Sequence, residues 1–151
     1  MSTTRITRHV NAPRSRVYRA LLDADAVAQW MVPNGMTSQV HAFDAREGGT
    51  FRISLTYDEP SRIGKTDAHT DTYHGRFVEL VPNERVVQAV EFESADPQMR
   101  GEMTITFSLV EVAGGTDIVA VHEQLPSGIS PADNELGWQL SLGKLAALVE
   151  A

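Results

Sequence analysis

Cysteine is absent from the 151 residues, which rules out thiolate catalysis, thiolate zinc sites, disulfide bracing and redox switching. Positive charge is scarce. Thirteen Lys and Arg stand against twenty Asp and Glu, a formal charge of -7 at pH 7, and a chain of that sign repels phosphate backbones. Nucleic acid is therefore not an expected partner. No apolar run approaches the roughly 18 residues of a membrane span, so membrane insertion is not expected either. Met1-Ser2-Thr3-Thr4-Arg5 lacks the apolar centre of an export signal, and the cytoplasm is the expected location.

Several chemical signatures are missing too. There is no Gly-x-Ser-x-Gly elbow, no His-Glu-x-x-His, and so no sign of a nucleophilic serine or a zinc peptidase site. Gly48-Gly49 is followed by Thr50-Phe51-Arg52-Ile53, a strand pattern, without the helix start and Lys-Ser/Thr of a phosphate loop. The histidines, at 9, 41, 69, 74 and 122, lack the spacing of metal motifs. Catalysis, if present, is expected to need neither metal nor organic cofactor.

What is present suits one compact domain over residues 1–151: 42% hydrophobic and 22% charged residues. A chain of this length buries roughly 70% of its unfolded surface, enough for a core without staples. Residues 4–10 alternate in part and predict a first strand. Asn11-Ala12-Pro13 predicts a helix start, with Asn11 or Ala12 as the cap and Pro13 in the first turn. Val17, Ala20, Leu21 and Leu22 form its apolar stripe. A second short helix, Asp25 to Trp30, ends before the turn residues Pro33-Asn34-Gly35.

Helical periodicity then gives way to strands at 37–45, 51–57, 72–81, 85–94, 102–109 and 116–124. Alternation is cleanest where Met103, Ile105, Phe107 and Leu109 interleave with Glu102, Thr104, Thr106 and Ser108. Pro82-Asn83, residues 94–100 and Gly114-Gly115 supply turns. The polar connection from Asp58 to Asp71 predicts a flap. At the end, Ser130-Pro131-Ala132-Asp133 reads as a helix cap, and Trp138, Leu142, Leu145 and Val149 form one seam of a helix over 131–150. Leu136, Leu140, Gly143 and Ala147 form a weaker stripe on the other side, for which a second copy of the chain, as a homodimer, is one conceivable cover.

This order describes an α+β domain whose antiparallel sheet is covered by the terminal helix. If the sheet curves around that helix, side chains cannot fill all the space between them, and a largely apolar pocket opens.

Val10-x-Ala12-Pro13, Val17-Tyr18-x-Ala20-Leu21 and Trp30 resemble the opening of the START-like (SRPBCC) superfamily, in its branch named after the activator of Hsp 90 ATPase. Asp44-Ala-Arg46-Glu-Gly48-Gly49, Gly75-Arg-Phe77-Val-Glu79 with Pro82, and Gly137-Trp138-x-x-x-Leu142-x-x-Leu145 continue the resemblance over nearly the whole chain. It implies a helix-grip (Bet v 1-like) fold with an internal cavity, a fold that hosts lipid carriers, hormone receptors and polyketide cyclases. The separate N-terminal domain of the full-length chaperone activator has no counterpart here, which argues against direct chaperone stimulation.

Within such a fold the cavity candidates are Trp30, Tyr57, Tyr73, Gln88, Phe92, His122 and Trp138. His122 shares a strand face with Ile118 and Ala120 and can orient a ligand or move a proton. A strand-end histidine bonded to a neighbour is the plainer expectation. Gln88, among Val86, Val90 and Phe92, needs a hydrogen-bond partner from backbone or ligand. Trp138 belongs to a helix seam and is expected to pack in the core. Asp44 and Arg46 suit an ion pair bracing a turn, and Glu91 with Glu93 suits a solvated strand face.

Three functions compete on this reading. The leading one is binding or carriage of an apolar or aromatic small molecule. A cofactor-independent cyclase or hydrolase would use His122, Glu123 or Tyr73 for proton transfer. An interaction module, a chaperone co-factor, would use the outer surface.

Overall fold

The computed structural model describes residues 2–33, 35–58 and 70–151. Its elements run β1 (Ser2–Val10), α1 (Arg14–Leu21), α2 (Ala24–Trp30), β2 (Met36–Phe43), β3 (Thr50–Tyr57), β4 (Thr70–Val81), β5 (Arg85–Phe92), a 3-10 turn at Pro97–Met99, β6 (Met103–Val112), β7 (Gly115–Leu125) and α3 (Pro131–Glu150). All strands join one antiparallel sheet in the order β1-β7-β6-β5-β4-β3-β2. From β2 to β7 it is a meander of hairpins. β1 closes it by pairing with β7, Ile6 opposite Ala120 and Arg8 opposite Ile118. This curved sheet with its terminal helix is the helix-grip fold.

Local chemistry explains most boundaries. Asp23 caps α2, its carboxylate accepting from the N–H groups of Asp25 and Ala26. The Ser130 hydroxyl accepts from the Asp133 N–H at 3.3 Å, and Pro131 takes the first helical position of α3. α1 departs from expectation. Pro13 itself, extended at ψ 152, is the capping residue, because Asn11 is engaged elsewhere: its side chain bonds His9 and its N–H donates to the Glu150 carboxylate. β4 starts at Thr70, two residues earlier than the pattern suggested. Of the expected flap from Asp58 to Asp71, Thr70 and Asp71 belong to β4, and residues 59–69 lie outside the described residues.

The turn from β2 to β3 depends on Gly48-Gly49. Gly48 has φ +80, the left-handed region glycine enters freely. Gly49 has no room for a Cβ, which would collide with the Asp44 carbonyl oxygen. Arg46 Nε bonds the Asp44 carboxylate at 2.8 Å across the same turn, as expected. The Gly48 N–H and the Gly49 carbonyl then bond both backbone groups of Phe77, so the turn also extends the β4 edge.

The core lies between the concave face and α3. From α3 it takes Leu142, Leu145, Ala146 and Val149, and from the sheet Ile6, Phe77, Val86, Ile105, Phe107 and Ile118. Three bonds fix the C-terminal half of α3. Arg16 donates to the Val149 carbonyl at 3.0 Å, Lys144 to the Val32 carbonyl at 2.5 Å, and the Glu150 carboxylate takes the Asn11 N–H at 2.8 Å. The helix backbone runs close to β1, α1 and α2 but stands away from β4 and β5. Leu136 and Leu140, on its outer stripe, are 58% and 41% exposed. Among the described residues no helix is long and apolar enough to cross a membrane.

Candidate functional site

Because α3 stands off from the middle of the sheet, a cavity of about 370 Å³ separates them. Its floor is built by alternate residues of neighbouring strands: Leu55 of β3, Tyr73 of β4, Gln88, Val90 and Phe92 of β5, Met103 and Ile105 of β6. Period-two alternation sends all of these to the concave side. Met31 and Pro33 after α2 and Met99 of the 3-10 turn form the wall. Asn134, Gly137, Trp138 and Ser141 of α3 form the roof, with Ser130 and Asp133 at the rim. Three methionines in one lining make it adaptable, since the unbranched thioether repacks around different shapes. A Cβ on Gly137 would meet nothing within 4 Å, so the roof has space there.

Four of the expected cavity residues come together at this lining: Tyr73, Gln88, Phe92 and Trp138. Tyr73 packs edge-on against Phe92 with centroids 6.2 Å apart, and its hydroxyl donates to the Met31 sulfur at 3.2 Å. Burial pushes this phenol above its ordinary pKa, so it stays a neutral donor. Trp138 serves two surroundings. It touches Trp30, Phe107 and His122 on the core side, with centroids at 6.2, 5.8 and 4.7 Å, and it borders the cavity on the other.

Trp30, Tyr57 and His122 are not among the lining residues. Trp30 is fully buried behind Trp138, its indole N–H donating to the Ala20 carbonyl at 3.0 Å. Tyr57 ends β3, in register with Met36 of β2 at the sheet edge. His122 is 1% exposed. Its Nδ1 lies 3.1 Å from Thr4 Oγ1 and accepts from Asn134 Nδ2 at 3.0 Å, while burial pushes its pKa down to about 4. It is a neutral imidazole screened from the cavity by Trp138, and Glu123 beside it is exposed on the opposite face. The residues named for proton transfer therefore do not converge.

Sequence reasoning missed Asp71, Asn134, Ser141 and the methionines as lining. Asp71 is 4% exposed, an unusual depth for a carboxylate. Asn134 and Ser141 carry a legible signal in retrospect: with Trp138 and Leu145 they recur at i, i+4, i+7 and i+11, polar residues on a buried seam.

The convex face carries ion pairs. Arg52 grips Glu93 with two bonds of 2.9 and 3.0 Å, and this guanidinium holds the Glu93 carboxyl below its ordinary pKa. His74 lies 3.2 Å from Glu93 and 3.7 Å from Glu91, so the expected solvated face is an ion-pair surface. Among the described residues no three His, Asp or Glu side chains gather as metal ligands. His69 lies outside the described residues.

The family model for Activator of Hsp90 ATPase homolog 1-like protein matches residues 11–150. A crystal structure of a protein from Chromobacterium violaceum is similar at 38% identity and TM-score 0.90, covering 99% of this chain and 97% of that one. The solution structure of an AHSA1-like protein from Aeromonas hydrophila is similar at 17% identity and TM-score 0.74, with 99% and 92% covered. A Rhodobacter sphaeroides protein gives 20% identity and TM-score 0.75 over 97% and 91%. These last two show likeness of fold alone. Comparison with curated proteins gave no match. With the family model spanning all but the first strand and the final residue, and the helix-grip architecture in place, the chain belongs to the family of Activator of Hsp90 ATPase homolog 1-like proteins, a START-like branch.

Proposed function

We propose that this protein binds and carries a small apolar or aromatic molecule in the cavity between the sheet and α3. The observation that carries this reading is the cavity itself. Its volume of about 370 Å³ falls in the range of small-ligand sites, and an apolar lining with a few polar groups is their usual composition. Well-packed cores leave few voids larger than a water molecule. The absence of convergence between His122, Glu123 and Tyr73 favours binding over proton-transfer chemistry.

Trp138 provides the reporter. Flavonoids, polyketide-like aromatics, sterols and fatty acids are titrated against the protein while its tryptophan emission is followed. A cavity ligand gives saturable quenching that persists in Trp30→Phe, disappears in Trp138→Phe and is abolished by Gly137→Leu, whose side chain enters the open space under the roof. No response from any class, or quenching indifferent to Gly137→Leu, would remove this reading.

A further inference from the structure

Gln88 sits at the middle of β5, paired across the sheet with Phe77 of β4 and Ile105 of β6. It is 4% exposed and borders the cavity. Among the described residues its side-chain amide has no hydrogen-bond partner, and it is not one of the fully enclosed unpartnered groups, Ser38 Oγ and His122 Nε2, so it opens on the cavity. Across the cavity Ser141 of α3, 5% exposed, presents a hydroxyl in the same condition. An amide has two N–H donors and a carbonyl acceptor, and partners that the protein does not supply have to come from water or a ligand in the cavity. The polar atoms face the one space from which a partner can come.

The chemistry of that partner follows from the groups presented. Gln88 offers donor and acceptor side by side, which a ligand amide or lactam matches with two reciprocal bonds. A carboxylate matches only the donor and sets its charge against the Gln88 carbonyl oxygen. No Lys, Arg or His stands among the described lining residues, so an anion would lose its hydration without a counter-charge. A pure hydrocarbon leaves Gln88 unmatched. We propose that the cavity selects a ligand without negative charge, an aromatic-sized apolar body bearing an amide or lactam that pairs with Gln88 and is completed by Ser141. This rests on the reading of the cavity as a ligand site.

Calorimetric titration with naphthalene carboxamide, naphthalene carboxylate and methylnaphthalene keeps the apolar body constant and changes only the polar group. The carboxamide is expected to bind about tenfold more tightly than either of the others, the worth of one well-made hydrogen bond. Gln88→Met should erase that advantage and melt no lower than the parent protein. The Gln88 side-chain amide resonances need no substitution and should shift with the carboxamide far more than with methylnaphthalene. Equal or tighter binding of the carboxylate, an advantage that survives Gln88→Met, or a marked loss of Tm in that variant would overturn the selection while cavity binding stood. Failure of all three compounds to bind would overturn both readings.

Discussion

Asn134 Nδ2 donates to His122 Nδ1 over 3.0 Å, tying the first turn of α3 to β7. The second N–H of the same amide reaches Thr4 Oγ1 at 2.9 Å, so one side chain joins α3, β7 and β1. With Nδ1 accepting, the imidazole proton resides on Nε2, which is buried and has no hydrogen-bond partner among the described residues. A second proton has no place in this arrangement.

Stability should consequently depend on pH through His122. Unfolded, the ring takes up its proton near pH 6.5; folded, only near pH 4. The unfolded chain binds the extra proton between those values, so stability is fullest above about pH 6.5 and declines as pH falls, by about 3 kcal/mol at the limit. His9 has the opposite sign, since its bond to Asp117 raises its pKa, but it is exposed and contributes little. Urea unfolding between about pH 6.5 and 5, above the carboxylate range, should show the decline. His122→Gln should flatten it, and a flat parent profile would contradict the assignment.

Leu142 is fully buried, whereas Leu140 is 41% exposed. Leu142→Ala should cost about 2–5 kcal/mol in chemical denaturation. Leu140→Ala should stay within about 0.5 kcal/mol. Similar losses at both positions would mean that a partner covers the outer stripe of α3.

Gly137 lies inside α3 with space at its Cβ position. Gly137→Ala should stabilise the protein by about 0.4–1 kcal/mol, chiefly by restricting the unfolded chain. A lower melting temperature in this variant would show that the roof has no room there.

Gly75 is the contrary case. A Cβ there would collide with the Ala89 carbonyl oxygen and press on the Phe51 ring. Gly75→Ala should destabilise by about 1–3 kcal/mol, as overpacking does, and should broaden or shift the Phe51 resonances more than those of Trp30.

The strands were readable because one face of each is buried. Met103, Ile105, Phe107 and Leu109 alternate in sequence and are all buried in the structure. α3 announced its start with Ser130-Pro131. The cap of α1 was misjudged because Asn11 is drawn away by His9 and by Glu150, 139 positions later, and nothing local encodes that distance. The cavity lining was only half legible for the same reason. Tyr73, Gln88 and Phe92 follow from strand alternation, but whether a given side chain meets the cavity or the core depends on how far α3 stands from the sheet. That separation retired Trp30 and His122 behind Trp138 and brought Asp71 and Ser141 to the lining.

The unequal fastening of α3 makes it a lever. From Leu142 onward it is bolted down by the buried Leu142 and Leu145 and by Arg16, Lys144 and Glu150; before Gly137 it overhangs the cavity, moored through Asn134. If the cavity takes a guest wider than the gap, the overhanging arm is the part of α3 with the fewest bonds to break. Backbone amides of one unbroken helix should then divide into two exchange classes, the arm opening locally and the anchored turns only with the whole fold.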